Sequence, residues 1–260
     1  MEIKYSCQED GKIKLMKCKI KMYNTFHRRT KPQKRIINKN NFTYRSLLEL
    51  LEKYLYGART CLDIGCGAGA VSLFVASRRK KVLGIDISKV SIKACREGAR
   101  RLKLGNVALF KVMNFPKEKP GRRFDMIICS EVLEHIENDE KALEEIYHLL
   151  NSRGLSVISV PSKNAPLFRV GLTKRFDVEV GHLRRYDFKQ LINLCERTGF
   201  NILETRRSEG ILRNFLFLNP VGGKMIRFIR GPISDFVTAL DNVTLKLFGE
   251  SQIFVVAQKK

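Results

Sequence analysis

The sequence predicts an α/β domain built on a mostly parallel sheet with helices on both faces. Three observations predict it. Short apolar runs alternate with stretches of helical period along most of the chain. The first run, Cys61-Leu62-Asp63-Ile64, breaks into a glycine turn, Gly65-Cys66-Gly67-Ala68-Gly69, and a helix-like segment, Ala70 to Ser77, follows it. A second run, Val82 to Ile87, carries Asp86 near its end, 21 residues beyond Gly65. Buried runs joined by helices are the pattern of parallel strands covered on both sides.

The elements follow in order. Residues 1–41 are basic and poorly periodic and read as an arm, with alternation over Lys12–Met22 that suits a short edge strand. Residues 42–260 read as one domain. Phe42 to Tyr56 is an amphipathic helix with Leu47, Leu48, Leu50, Leu51 and Leu55 on one side, Thr43 as cap and Gly57 as stop. Ser88 caps a helix that runs to about Leu104. Strands are expected over Asn106–Val112 and Phe124–Cys129, a helix over Asp139–Leu150 closed by Gly154, and a strand over Leu155–Val160. An irregular insert spans 162–186. A helix over Asp187–Arg197 and a strand over Asn201–Thr205 come next. A second insert, at about 209–248, reads as helical from Leu212 around Pro220 and Gly222-Gly223, and Gln252–Ala257 is the last strand.

Composition narrows the functional classes. The 260 residues suffice for one large α/β domain with embellishments. Lys and Arg number 49 against 26 Asp and Glu, a formal net charge of +23. Such a balance attracts phosphates, acidic substrates or anionic membrane surfaces, and leaves RNA and peripheral membrane contact open as partners. Seven cysteines, at 7, 18, 61, 66, 95, 129 and 195, form no CxxC pair. Several lie in strands or helices, which fits buried thiols in a reducing compartment better than a disulfide framework. The N-terminus lacks the apolar core of a signal peptide, and no run is long enough to span a membrane. The expected location is cytoplasmic.

Two constellations carry chemistry. Gly65, Gly67 and Gly69 let the chain turn tightly beneath a nucleotide-like ligand, Asp63 adds an acceptor at the mouth of the turn, and Asp86 is placed to accept ribose hydroxyls. Gly65, Gly67 and Ala70 also satisfy G-x-G-x-x-A, so a nicotinamide dinucleotide fits this turn as well. The second constellation is Glu131-Val132-Leu133-Glu134-His135 at the end of the fourth strand. In a helix, Glu131, Glu134 and His135 share one face at i, i+3 and i+4, where two carboxylates and an imidazole suit a divalent cation. His182, in the first insert, offers a fourth ligand. The same acids also suit a plain helix N-terminus.

Taken together, LDIGCGAG, VLGIDIS and FDMIICSEVLEHI, with GHLRRYDFKQLINLCERTGF further on, resemble the class I S-adenosylmethionine-dependent methyltransferases. The resemblance implies a Rossmann-like seven-stranded sheet whose last strand is antiparallel and inserted beside the fifth. It implies S-adenosyl-L-methionine as cofactor, held by Asp63, Gly65, Gly67, Gly69, Asp86 and Ser130, with Asn114 where many members carry an Asp for the adenine. The E-x-x-E-H segment resembles those of ubiquinone-biosynthesis O-methyltransferases and small-RNA 3′-terminal 2′-O-methyltransferases. That implies Mg or Mn on Glu131, Glu134, His135 and His182, with His135 or His182 as a base if not ligated. The expected reaction is O-methylation of a small-molecule or lipid-like hydroxyl; the alternatives are RNA 2′-O-methylation and a cofactor-binding regulatory protein without turnover. Arg184 and Arg185 are candidate contacts for an anionic acceptor, and the apolar and basic segments Ile211–Leu218 and Met225–Arg230 suit a pocket lid, a membrane-surface helix or a dimer face.

Overall fold

A computed structural model describes residues 30–218 and 232–260. The expected edge strand over Lys12–Met22 and the segment Met225–Arg230, with Pro220, Gly222 and Gly223, lie outside the described residues. So do Cys7 and Cys18; the five described cysteines are free and buried.

Seven strands form one sheet: β1 Thr60–Ile64, β2 Lys81–Asp86, β3 Ala108–Val112, β4 Phe124–Ser130, β5 Leu150–Pro161, β6 Phe200–Ser208 and β7 Gln252–Lys259. Their order is β3-β2-β1-β4-β5-β7-β6. The first five pair in parallel. β7 lies between β5 and β6 and runs antiparallel to both. This is the mostly parallel sheet expected from the sequence, with the last strand where the resemblance puts it. The switch in strand order falls between β1 and β4, so the carboxyl ends of β1, β2 and β4 open onto one crevice.

Successive side chains of a strand point to opposite faces, and this alternation builds two cores. Met126 and Ile128 of β4, Cys61 of β1 and Phe254 and Val256 of β7 join one apolar cluster. Ile127 and Cys129, Leu62 and Ile64, and Ile253 and Val255 join the other. The first is covered by α1 Arg45–Tyr54, α2 Ala70–Ser77 and α3 Lys89–Arg101. The second is covered by α4 Asp139–Leu149, then, after the short helices α5 Pro166–Arg169 and α6 Lys174–Val180, by α7 Phe188–Arg197. α8 Ile211–Leu218 and α9 Pro232–Phe248 lie between β6 and β7 in the chain. No helix among the described residues is long and apolar enough to cross a membrane.

Caps explain several boundaries. Ser88 Oγ accepts from Ser91 N–H at 3.3 Å ahead of α3, and Asp187 accepts from Lys189 N–H at 2.9 Å ahead of α7. Other boundaries depart from expectation. α1 is preceded by Tyr44, with no side-chain cap, so Thr43 does not fill that role. Gly154 closes no helix. α4 passes directly into β5 at Leu150, and Gly154 lies inside that strand, where a Cβ would stand 2.9 Å from Asn151 O and 3.2 Å from Asp125 O. The glycine there permits close strand packing. The first insert is helical rather than irregular, because α5 and α6 each complete short turns between Pro161 and Gly181.

Ile127 is fully buried in the middle of a central strand. Ile127→Ala should therefore cost about 2–5 kcal/mol of unfolding free energy. Urea denaturation of the full chain checks this; a loss under about 1 kcal/mol would contradict the packing described.

Candidate functional site

The glycine turn closes β1 against β2. Cys66 N–H donates to Ile85 O at 3.0 Å, and Gly67 N–H donates to Asp86 Oδ2 at 2.9 Å. Asp86 also accepts from Ser88 N–H through Oδ1 at 2.7 Å, so one carboxylate ties the turn to the start of α3. All three glycines have positive φ, +67° at Gly65, +50° at Gly67 and +77° at Gly69. Their surroundings differ. A Cβ on Gly65 would stand 2.4 Å from Val132 Cγ2, and one on Gly69 would stand 2.9 Å from Cys95 Sγ; one on Gly67 would meet nothing within 4 Å. Gly65 and Gly69 thus serve protein packing, while Gly67 leaves its face open to the cavity.

Asp63 sits beneath the turn, almost wholly buried, and accepts from Ser72 Oγ at 2.5 Å. Burial pushes its carboxyl up to about 7, against the pull of the Ser72 hydrogen bond, and the charge of Asp86 adds to the rise. Ser130, at the end of β4, shares a 2.8 Å hydrogen bond with Ser159 Oγ. Asn114 N–H donates to Glu118 Oε2 at 2.8 Å. Asp63, Gly65, Gly67, Asp86, Asn114 and Ser130 all line one cavity of about 970 Å³.

The segment after β4 does not form the α-helix that would put Glu131, Glu134 and His135 on one face. Glu131 has φ +56°, and only Leu133–His135 turns, as a single 3₁₀ step. Glu131 Oε1 instead accepts from Gln252 Nε2 at 2.9 Å and from Ser159 Oγ at 3.1 Å. The first insert folds over this turn. Leu183 N–H donates to Glu134 O at 2.8 Å, and His135 Nδ1 lies 3.0 Å from Gly181 O. A carbonyl only accepts, so His135 carries its proton on Nδ1, which makes Nε2 the ring's acceptor nitrogen. Gly181, at φ +81°, turns the chain out of α6 and delivers His182 to the same place.

Glu134, His135 and His182 each bring a ligand atom within 4.8 Å of the others. Nε2 of His135 is 3.9 Å, and Nε2 of His182 3.8 Å, from Glu134 Oε1. His182 Nδ1 is held by Asp177 Oδ1 at 2.9 Å, which aims its Nε2 inward as well. Burial keeps His182 below the usual imidazole range, despite the Asp177 charge, so the ring is neutral at pH 7. Burial works against the Asp177 carboxylate, yet Arg185 and then His182 hold it below the usual range. Glu134 is completely buried, and neither of its oxygens has a hydrogen-bond partner. Burial, then repulsion from Glu131, pushes its carboxyl well up. The orphaned carboxylate of Glu134, with Nε2 of both imidazoles turned toward its Oε1, fits a divalent cation. Glu131 borders this group without belonging to it.

The arginines expected to meet an anionic acceptor are engaged elsewhere. Arg185 donates to both oxygens of Asp177, at 2.9 and 2.6 Å, and Arg184 pairs with Asp139 at 2.9 Å and with Glu137 O at 2.7 Å. Other cavity residues carry no motif in the sequence. Glu209, Asn214, Ser251 and Gln252 line it from the β6–β7 side, and Tyr44 and Leu47 from α1. Asn214 falls within the segment Ile211–Leu218 that suited a pocket lid, and Tyr44 and Leu47 within the first amphipathic helix, whereas nothing in the sequence marked Glu209, Ser251 or Gln252 as site residues.

A family model described as a methyltransferase domain matches residues 36–205. A ubiquinone biosynthesis O-methyltransferase of Leptothrix cholodnii is 25% identical over 160 residues, which cover 57% of this chain and 66% of that protein. A ribosomal protein L11 methyltransferase of Campylobacter lari is 31% identical over 98 residues, 38% of this chain and 34% of that one. The chain spans less than two thirds of the length of these relatives. Among solved structures, magnesium protoporphyrin IX methyltransferase from Synechocystis PCC 6803, with bound SAH, has a TM-score of 0.62 at 17% identity, covering 94% of this chain and 99% of that one. The [4+2]-cyclase SpnF has a TM-score of 0.59 at 19% identity, covering 92% of each chain. At such identities the likeness is one of fold, and a fold shared with a cyclase does not specify chemistry.

The two glycines at the turn separate by substitution. Gly67→Ala should cost about 1–2 kcal/mol, the strain of a positive φ alone. Gly65→Ala should cost about 1–3 kcal/mol more, since its methyl meets Val132. Denaturant melts of both variants check this; equal losses would contradict the packing against Val132.

Proposed function

The chain belongs to the methyltransferase-domain family, and from that premise we propose that it is an S-adenosylmethionine-dependent methyltransferase acting on a hydroxyl of a small or lipid-like molecule. One observation carries the acceptor side of this reading: the buried, unpartnered carboxylate of Glu134 facing Nε2 of both His135 and His182.

The methyl-donor site is the crevice between β1 and β2. Gly65, Gly67 and Gly69 shape the turn, Gly67 presents open space, and Asp63 faces the cofactor's amino group. Asp86 takes the ribose hydroxyls through lone pairs not used by Gly67 and Ser88. Ser130 and Asn114 border the same cavity near the donor's methionine and adenine ends. The donor contributes a sulfonium methyl that is already electrophilic. The protein's task is to hold oxygen, methyl and sulfur in line and to keep water out.

Glu134, His135 and His182 would hold a divalent cation such as Mg or Mn. When bound, such a cation lowers the pKa of a hydroxyl placed against it, so that an oxyanion forms near neutral pH. The three side chains are set for this by Gly181 O and Asp177, which fix the imidazole tautomers, and by the docking of Leu183 on the 3₁₀ turn. With both Nε2 atoms turned toward Glu134, the histidines read as ligands rather than bases. An acceptor with two adjacent oxygens fits the site, and a cavity of about 970 Å³ has room for donor and small acceptor together. The apolar walls, including Tyr44, Leu47, Phe176 and Phe254, favour an aromatic or lipid-like body.

Two measurements test this. The first concerns pH. With its carboxyl raised to about 7, Asp63 is partly protonated below that pH, whereas the cofactor's ammonium group favours the ionised form. Affinity for S-adenosylhomocysteine should be level above pH 7 and fall as pH drops below it, by up to about tenfold per unit. Calorimetry from pH 5.5 to 8.5 checks this, and Asp63→Asn should remove the slope. A flat profile in the unaltered chain would overturn the role given to Asp63.

The second concerns the cation. Mn²⁺ should bind the chain in calorimetry without any acceptor, and Glu134→Gln should weaken that binding by at least about tenfold. Methyl transfer from labelled donor to catechol should stop with EDTA and return with Mg²⁺. Label entering RNA but no small molecule would replace the acceptor class proposed here, and EDTA-insensitive transfer would remove the cation.

A further inference from the structure

Three polar groups on the β6–β7 side of the cavity are left unused by the site described above. Glu209 follows β6, lines the cavity, and makes no side-chain hydrogen bond or ion pair among the described residues. Asn214 lines the same wall from α8, and its buried Oδ1 has no partner. Ser251 lines it from the residue before β7; it is only 6% exposed, and its Oγ has no partner. The backbone joins them. Ser251 N–H donates to Glu209 O at 2.7 Å, and Asn214 N–H donates to Gly210 O at 3.2 Å.

The surrounding structure over-determines this wall. Glu209 holds φ +64°, an uncommon conformation for a side chain of its kind. Gly210 beside it has no room for a Cβ, which would stand 2.3 Å from Thr244 Oγ1 and 2.5 Å from Asp241 O in α9. The Asp241 carboxylate accepts from Gly210 N–H at 2.9 Å and from Arg213 N–H at 3.0 Å, so it caps the start of α8 from across the interface. Arg213, itself 2% exposed, lies over the Phe42 ring at 4.2 Å and donates to Thr238 Oγ1 at 3.2 Å. Backbone strain held in place at a cavity wall points to a ligand contact.

We propose that Glu209, Asn214 and Ser251 form an acceptor-recognition subsite for a hydrogen-bond-donating substituent, best a primary ammonium, on the molecule to be methylated. The choice of ligand follows from the donor inventory. Burial pushes the Glu209 carboxyl up to about 7, and an ammonium beside it would favour the ionised form. The ionised Glu209 carboxylate and Asn214 Oδ1 only accept hydrogen bonds, and Ser251 Oγ does either. Two acceptor groups require a ligand that donates. Glu131, a second carboxylate within electrostatic reach of Glu209, strengthens the preference for a cation. A carboxylate or phosphate on the acceptor would meet repulsion there. Arg213 does not reach Glu209 as an ion pair, yet its charge acts on Glu209 more strongly than that of Glu131 and favours the ionised carboxylate that an ammonium would meet.

This inference rests on the methyltransferase reading for the word acceptor, and its test separates the two. The probes are catechol, a catechol bearing an aminoethyl chain, a catechol bearing a carboxymethyl chain, and benzylamine, which carries the donor without the diol. Each is titrated into the full chain saturated with S-adenosylhomocysteine in Mg²⁺ buffer. The aminoethyl catechol should bind at least about tenfold more tightly than the carboxymethyl one, as a charge-assisted hydrogen bond requires. Glu209→Gln should bring the two within about threefold, and Asn214→Leu should halve the advantage or more. S-adenosylhomocysteine affinity, measured in the same variants, reports that they remain folded. Equal binding of the two substituted catechols, or a preference that survives Glu209→Gln, would overturn the subsite. If the chain binds no S-adenosylhomocysteine, the methyltransferase reading fails instead. Benzylamine then decides the subsite alone: saturable binding lost in Glu209→Gln upholds it, and absence of binding removes it.

Discussion

The hydrogen bond from Gly67 N–H to the Asp86 carboxylate is the constraint on which the ligand cavity depends. It fastens the turn after β1 to the end of β2, at the edge of the sheet where the strand order reverses. Because Asp86 also receives Ser88 N–H, the same carboxylate fixes where α3 begins. The turn so held presses Gly65 against Val132, which sets the path of the chain leaving β4. The position of the Glu131–His135 segment thus follows from backbone geometry two strands away.

From that segment the cavity is completed by elements outside the central strands. The loop Gly181–Leu183 docks on the 3₁₀ turn through two hydrogen bonds and brings His182 opposite His135. Asp177 orients His182 and engages Arg185 at once, so a charge that looks available in the sequence is spent inside the insert. Buried carboxylates without counter-charges are costly, and Glu134 is held in its place by the Leu183 N–H bond to its carbonyl and by burial, with its carboxylate left without a hydrogen-bond partner. The polar wall of Glu209, Asn214 and Ser251 is held in the same manner, by α8 and α9 packed through Gly210 and Asp241.

The family's shared core and its variable additions divide the work accordingly. In the function proposed above, the sheet and its glycine turn form the half of the cavity toward the donor. In the same proposal, the two inserts and the last strand form the half toward the acceptor. Relatives named for ubiquinone biosynthesis and for ribosomal protein L11 share stretches with this chain, and a cyclase shares its fold, so the fold by itself does not specify the chemistry.

The sequence by itself determined the sheet, its helical layers and the turn, since apolar period and glycine placement are local signals. Asp63, Gly65, Gly67 and Asp86 were legible for that reason, and so was the cap Ser88, whereas the cap role of Asp187 emerged only from the structure. Glu134, His135 and His182 were legible only as residue types; their convergence depends on a loop contact 46 residues away along the chain. The tertiary structure alone decided that Glu131 turns aside to Ser159 and Gln252, that Arg184 and Arg185 are already paired, and that Gly154 serves a strand. It alone brought Glu209, Asn214 and Ser251 to one wall. Local patterns register which face of an element is buried, whereas a positive φ at a glutamate and an orphaned oxygen arise only when distant segments meet.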